Sequence, residues 1–516
     1  MRCVLIRPLN KSTYYDPEIQ EPLGLEYLAS ILKQSANDIL ILDSALDNLN
    51  DIKLARRTVS FEPDLIGFSI TTIDDIDSVL SIYSECRKLL SEKKIKWIAG
   101  GNLTTIDAST VKKLLSPDFF LVRYEGEIAV QELVSEWRGE KGSQLTSKQI
   151  IDGRVIEDLD SLPFPERPYY QYLKTYGWAF NIQGSRGCCS SCKYCASSGM
   201  RNKTNKSWRG RTTVNIVGEL LYLHERYNAD TFNFVDEDFL GPPAKATVRA
   251  RSFSLEVRKH NLDISFGIQV RPNSLSEEII DYLVKSGLKY VFMGIESDDQ
   301  GDLKKWGRLY CEETWKWIDL LQSKEVEVNA GTLLFHPDCT LQSIRRFSTK
   351  LIKYQLFNYR TAINRMDAMP GSYFHKEYLS SHKNSDHLEG IFSLPFNDNK
   401  IDSFYSDINK ALEPIGSTSM HAICSLPTAQ TNRKISELDE SQYHRLKELI
   451  RLCDNQVSKC FLLILTSYEN NANSEKLIEE LANENLIYSK DIADQLIAEG
   501  FVRSPEMLYK AIHHEG

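Results

Sequence analysis

The chain has 516 residues, 42% of them hydrophobic and 26% charged, which excludes disordered or fibrous composition and gives ample length for more than one buried core. Its net charge of −9, from 62 basic and 71 acidic side chains, provides no field for nucleic acid or an anionic membrane surface. Apolar runs such as Phe461–Leu465 are far shorter than a membrane span, and Met1-Arg-Cys-Val-Leu-Ile runs at once into Pro8 without the pattern of a signal peptide. The expectation is therefore a cytoplasmic protein with neither a nucleic-acid nor a membrane partner.

Residues 1–138 alternate short apolar runs with helical patterns. Val4–Ile6, Ile39–Leu42, Leu65–Ser69, Lys96–Ala99 and Phe119–Val122 read as strands, and Pro22–Leu32 and the stretch from Ser78 as helices. Continuous apolar strands separated by helices predict a parallel sheet covered on both faces. Such a sheet binds ligands at the strand C-terminal ends, where Ser69 to Thr72, Gly100 to Thr104 and Tyr124 to Glu127 form the loops. Residues 139–176 read as a linker, because Pro163, Pro165 and Pro168 oppose regular structure.

A second β/α series fills 177–375. Its candidate strands are Trp178–Ile182, Thr231–Val235, Ile264–Ile268, Tyr290–Met293, Val326–Asn329 and Tyr359–Ile363. Six strands at this spacing predict a partial (β/α)6 barrel with its site at the strand C-terminal ends. From 376 to 516 the pattern is helical, with a capping box expected at Asp439 and Gln442 and a helix start at Ser504-Pro505.

Four of the eleven cysteines crowd between Cys188 and Cys195. Cys188-x3-Cys192-x2-Cys195 lies on a loop just after the first strand of the second series. Three thiolates can hold three irons of a [4Fe–4S] cube, leaving the fourth iron open to an amine and a carboxylate of a small molecule. Three other readings stay open on spacing alone. A structural zinc wants a fourth ligand that is not nearby, a Cys192-x-x-Cys195 redox pair wants a helix start after its first cysteine, and the clustering could be chance. Cys189 falls outside the spacing. Cys311, Cys339 and the other single cysteines read as buried inert thiols, and the ten histidines show no ligand spacing.

With Tyr194 before its last cysteine, the motif resembles the signature of radical S-adenosylmethionine (SAM) enzymes. The surroundings resemble the branch that carries a cobalamin (B12)-binding domain. Ser185-Arg-Gly-Cys188 precedes the cluster, Trp208-Arg-Gly-Arg-Thr follows it, and the later strands end in Phe234-Val-Asp-Glu-Asp-Phe239, Gln269-Val-Arg-Pro-Asn273, Gly294-Ile-Glu-Ser297 and Met369-Pro-Gly-Ser372. In the first domain Pro22–Ala29, Gly100-Gly101 and Glu125-Gly-Glu127 match comparable runs. The likeness covers about residues 1–375. It departs from the branch at Cys189, at Phe335-His-Pro-Asp-Cys-Thr340 and at Gly100-Gly-Asn-Leu-Thr104, which lacks the histidine often found after the glycines; as is common in the branch, no Asp-x-His-x-x-Gly occurs, so no histidine is placed to ligate cobalt.

The resemblance implies a Rossmann-like B12-binding-type domain (1–138), a linker (139–176), a radical SAM core (177–375) and a helical C-terminal domain (376–516). It implies a [4Fe–4S] cluster on Cys188, Cys192 and Cys195. SAM would be bound by Tyr194, Asp236, Glu237, Arg271, Glu296 and Ser297, and cobalamin by Ser69, Thr71, Gly100, Gly101, Glu125, Gly126 and Glu127. The implied reaction is methyl transfer to an unactivated centre of a small-molecule or peptide substrate through a 5′-deoxyadenosyl radical, with flavodoxin or ferredoxin as electron donor. Two alternatives remain beside it. One is a non-methylating rearrangement, cyclisation or carbon–carbon bond step; the other is a noncatalytic cobalamin or iron–sulfur sensor.

Overall fold

The computed structural model describes residues 1–8, 20–35, 37–90, 93–140, 144–175, 178–197, 207–381, 392–424 and 440–499. The chain divides into two compact units. The first comprises 1–172, 185–219 and 368–392, and the second 173–184, 220–367 and 393–516.

In the first unit the apolar runs form β1 (Arg2–Arg7), β2 (Asp38–Asp43), β3 (Leu65–Ser69), β4 (Lys96–Gly100), β5 (Phe119–Arg123) and β6 (Ile150–Asp152). All pair in parallel, in the order β2-β1-β3-β4-β5-β6. Helices such as Leu23–Gln34, Asp51–Ser60, Asp75–Leu89 and Gly126–Trp137 connect them. One face of the sheet buries Phe68, Trp97 and Phe119 with Val79 and Ile82 of the Asp75–Leu89 helix; the other buries Ile98 and Val122 with Val130 and Leu133 of Gly126–Trp137. Burial on both faces explains why these strands read as continuous apolar runs rather than alternating ones. Strand order reverses between β1 and β3, the point at whose C-terminal ends sheets of this kind bind ligands.

β6 lies inside the stretch expected to be a linker. Three residues are too short a run for periodicity to reveal, yet Leu121, Val122 and Arg123 pair with Ile150, Ile151 and Asp152.

The proline-rich segment that follows is strapped down as well. Ser30 donates its hydroxyl hydrogen to the carbonyl of Phe164 (2.8 Å), and Arg167, fully buried, reaches Glu21 (2.9 Å), Glu26 (3.4 Å) and Glu219 (2.9 Å). Arg211 pairs with Glu219 from the other side. The prolines prevent a helix or strand, and side-chain contacts hold the segment instead.

After β7 (Phe180–Ile182) comes a short antiparallel hairpin, β8 (Ser185–Gly187) with β9 (Trp208–Gly210). Then follow β10 (Thr231–Phe234), β11 (Ser265–Val270), β12 (Leu288–Glu296) and β13 (Glu327–Thr332). In the second unit β13-β12-β11-β10-β7 form one parallel sheet, so five of the six expected strands are present. The sixth is a correction, because Tyr359–Ile363 is a helix. Asn358 caps it, accepting from the Thr361 amide while the Thr361 hydroxyl accepts from the Asn358 amide. That reciprocal cap outweighs the β-propensity of Tyr, Thr and Ile. A single parallel bridge, Phe335 to Arg365, stands where the strand was expected.

The C-terminal region is helical as read, with helices Asn399–Cys424, Glu440–Glu469 and Glu475–Ala498. Phe404, Leu412, Val457 and Phe461 are fully buried in this unit. Asn485 ties the three helices together by accepting from Gln456 (2.9 Å) and donating to the Ala411 carbonyl (2.6 Å). Asp439 and Ser504-Pro505 lie outside the described residues.

Asp454, in the Glu440–Glu469 helix, has its Oδ1 sealed from solvent without a hydrogen-bond partner among the described residues. Burial and the nearby Glu327 push its carboxyl up to about 8. A folded-state value above the unfolded one means that stability is complete below about pH 4 and is lost as pH rises to about 8. Asp454→Asn should therefore flatten that slope and raise stability by about 1–2 kcal/mol at pH 8.5, with the gap to wild type closing near pH 4. Urea unfolding at several pH values measures it; parallel curves for the two proteins would refute it.

Candidate active site

The cluster loop starts at the hairpin. Gly187 has φ +83°, and a Cβ there would lie 2.2 Å from the Ser207 carbonyl oxygen, so only glycine fits where the strands pinch together. Cys188 follows directly. Cys192 is buried, while Cys188, Cys189 and Cys195 are half-buried, and all four thiols are free of disulfides.

The Ser190 amide donates to Cys188 Sγ (3.4 Å), the Ser190 hydroxyl meets Cys192 Sγ (3.1 Å), and the Cys195 amide donates to the Cys192 carbonyl (3.3 Å). Hydrogen bonds to sulfur stabilise thiolate ligands and tune a cluster's potential. Among the described residues no three acidic, histidine or cysteine side chains converge around a single ion. A cubane asks for something different, since each thiolate binds a different iron and the sulfurs stand apart. Three thiols outside any disulfide on one looped segment, two of them in hydrogen-bond contact with Ser190, suit that demand.

Most of the other described cysteines contrast with these, although Cys311 is half-buried and not buried as expected. Burial pushes the thiols of Cys3 and Cys339 up to about 11 and those of Cys86 and Cys453 up to about 12, as expected for inert core residues.

The residues expected to hold cobalamin lie at the C-terminal ends of β3, β4 and β5. Ser69 ends β3, and the Thr71 amide donates to Asp75 (2.6 Å). Gly100 ends β4, and the Ile70 amide donates to its carbonyl (2.8 Å). Gly101 has φ +103°, and a Cβ there would sit 2.6 Å from the Ile70 carbonyl oxygen, so its glycine is dictated by the close approach of the β3 and β4 loops. Tyr124 takes φ +63° at the end of β5, a strained turn that leads into Glu125-Gly126-Glu127. Both carboxylates of that turn already have partners. Glu125 pairs with Arg209 and Arg186 and accepts from the Ile156 amide (2.8 Å), and Glu127 pairs with Arg186 (2.5 Å).

In the second unit the expected SAM residues sit at the ends of β10, β11 and β12. Asp236 is buried, Glu237 exposed. Arg271 is held by Asp238 (2.8 Å) and donates to the Gly241 carbonyl (3.0 Å). Among the described residues its carboxylate partner is Asp238. Glu296 instead pairs with Arg308 (3.5 Å), which also donates to the Gly294 carbonyl. Glu296 has φ +65° at a break in the β12–β13 register, the kind of strained position that marks functional sites. Ser297 accepts from the Asp299 amide (3.0 Å) and stands 3.5 Å from Asp302. A shallow cleft is lined by Gly294, Ser297, Arg308 and Trp315. Tyr194, half-buried, belongs to the first unit with the cysteines.

Sequence reasoning missed Arg186, Arg209, Arg308 and His336. His336 is buried against Trp306, with its Nε2 3.4 Å from Asp302. Its place in the loop that departs from the usual pattern was the only available signal. Arg186 and Arg209 stand in the Ser185-Arg-Gly-Cys188 and Trp208-Arg-Gly-Arg-Thr motifs, but nothing there pointed to their carboxylate partners, and Arg308 carried no signal.

The chain matches the Radical SAM superfamily over residues 182–348 and the B12 binding domain over residues 17–134, together more than half its length. It is 30% identical over 292 residues to an uncharacterized methyltransferase of Pyrococcus horikoshii, covering 54% of this chain and 61% of the relative. It is 24% identical over 327 residues to an anaerobic magnesium-protoporphyrin IX monomethyl ester cyclase of Synechocystis, covering 59% and 62%. The match thus spans about three fifths of these relatives' own length. Among solved structures, the cobalamin-dependent SAM radical enzyme OxsB, with aqua-cobalamin and SAM bound, shares the fold at a TM-score of 0.74 and 14% identity, over 99% of this chain and 83% of that one. The two domain types bring with them a [4Fe–4S] cluster, SAM and cobalamin. A thiol loop suited to a cubane, a doubly covered sheet with a switch point and both domain matches converge on one conclusion: the chain belongs to the cobalamin-binding-domain radical SAM enzymes.

Proposed function

We propose that the protein transfers a methyl group to an unactivated centre of a small-molecule or peptide substrate. The observation that carries this reading is the pairing, in one chain, of the Cys-x3-Cys-x2-Cys loop with a β2-β1-β3-β4-β5 sheet of the B12-binding type. Cys188, Cys192 and Cys195 hold the cluster. Tyr194, Asp236, Glu237, Arg271, Glu296 and Ser297 bind SAM, with Arg271 oriented by Asp238 and Glu296 by Arg308. Ser69, Thr71, Gly100, Gly101 and the backbone of the Glu125-Gly126-Glu127 turn receive cobalamin.

Bound together, these groups supply a 5′-deoxyadenosyl radical and a methyl donor. The chain's own task is to orient them and exclude water. A flavodoxin or ferredoxin supplies the electron, in the cytoplasm; among the described residues no helix is long and apolar enough to cross a membrane. The helices from 376 onward serve the substrate.

The name of the Pyrococcus relative supports methylation, and that of the Synechocystis relative favours a second reading, ring formation. Reduced protein given SAM labelled in its methyl group separates the two. Methyl transfer requires label on added hydroxocobalamin and release of both S-adenosylhomocysteine and 5′-deoxyadenosine. Release of 5′-deoxyadenosine alone, with cobalamin retained but unlabelled, would replace methylation with ring formation. If neither product formed, the enzyme reading would give way to a sensor.

A further inference from the structure

Arg186 and Arg209 are direct cross-strand partners in the β8–β9 hairpin, the stem from which the cluster loop departs. Arg186 is two residues before Cys188. Both guanidinium groups end on one turn, Glu125-Gly126-Glu127, at the C-terminal end of β5. Arg186 reaches Glu127 (2.5 Å) and Glu125 (3.4 Å), and Arg209 reaches Glu125 and the Ile156 carbonyl. The four side chains are only 7–17% exposed. Tyr27 covers the Arg186 guanidinium with its ring at 5.7 Å.

Two cations and two anions balance, and their burial raises the penalty for removing any one of them. The arginine forks also fix direction as well as distance, which a point charge would not do. A stem of three residue pairs with a positive-φ glycine has little rigidity of its own. Its placement therefore comes from the clamp. The same turn opens the Gly126–Trp137 helix, at the edge of the sheet where a B12-binding domain receives its ligand.

We propose that Glu125 and Glu127 are positioning residues for the iron–sulfur cluster: through Arg209 and Arg186 they fix the stem of the cysteine loop to the cobalamin-side turn. Their carboxylates are committed to this clamp and make no contact with the corrin. The proposal rests on the reading that Cys188 is a cluster ligand, and it deepens that reading by naming what holds the ligand loop in register.

The test uses full-length protein, reconstituted anaerobically with iron and sulfide, as wild type, Glu125→Gln and Glu127→Gln. Iron content, melting temperature, retention of hydroxocobalamin on gel filtration and the electron paramagnetic resonance spectrum of the reduced cluster with and without SAM are compared. Both variants should keep about four irons per chain and retain cobalamin. Their SAM-induced spectral change should need about tenfold more SAM, or about 1.4 kcal/mol, because the cluster is held out of register. An unchanged SAM response in both variants would overturn the clamp. Loss of cobalamin with an intact SAM response would overturn it too, by making the carboxylates corrin contacts. Should either variant fail to fold, Arg209→Lys and Arg186→Lys decide by the same spectra, since each keeps the charge and loses only the fork. Absence of iron from the wild type would be a separate failure, of the cluster assignment itself.

Discussion

Replacing Cys188, Cys192 and Cys195 together by alanine should reduce bound iron from about four per chain to none and abolish SAM cleavage. The expectation follows from the loop's construction. Three thiols stand on one short segment, two of them in hydrogen-bond contact with Ser190, and none is in a disulfide. Cys189→Ala should keep full iron content, because the Cys-x3-Cys-x2-Cys spacing is complete without it. Iron analysis and the absorbance of the brown cluster near 400 nm measure both effects (roughly the region of sulfur-to-iron charge transfer). Iron lost from Cys189→Ala and kept by one of the other single variants would reassign the ligands. One zinc per wild-type chain and no iron would overturn the cluster altogether.

Arg167→Met should cost about 3–5 kcal/mol of stability, the largest effect expected of any single substitution away from the cysteines. Arg167 is completely buried between Glu21, Glu26 and Glu219, whose side chains are 0–1% exposed. Removing the cation leaves carboxylates facing one another without water. Burial already pushes the Glu26 carboxyl well above its ordinary range, with Glu21 adding repulsion and Arg167 opposing both.

In the variant the opposing charge is gone, so the Glu26 carboxyl is pushed further up. Stability is then regained as pH falls and the buried carboxyls take up protons. The deficit should be smaller at pH 5 than at pH 8. Denaturant unfolding of the two proteins at both pH values tests this, and a loss under 1 kcal/mol at pH 8 would mean that Arg211, which also holds Glu219, can take over the hub.

Long apolar runs were the legible part of the fold. β1 to β5, β7 and β10 to β13 all fall on stretches such as Leu65–Ser69 or Tyr290–Met293, because burial on both faces leaves a strong composition signal. Tyr359–Ile363 misled for a local reason. Its residue types favour strand, but the Asn358 and Thr361 cap starts a helix. The cysteine loop and the Gly294-Ile-Glu-Ser297 turn were visible because their residues are close in sequence. The groups that hold them were not. Arg308 approaches Glu296 from twelve residues away, and Arg186 and Arg209 approach Glu125 across more than sixty and eighty residues. No periodicity records such pairings, and a buried arginine in a proline-rich stretch, such as Arg167, carries the composition of a surface loop.

β6 has a practical consequence for anyone dividing the chain. By pairing along β5 it turns what would be the open flank of the sheet into an interior strand. A fragment ending at residue 138 would strip β5 of this partner and leave its amide and carbonyl groups as a template for a neighbouring chain, so it should aggregate. Extending the fragment through Asp152 would restore the pairing. Carrying it on past Arg167 would also spare Glu21 and Glu26 from facing each other uncompensated.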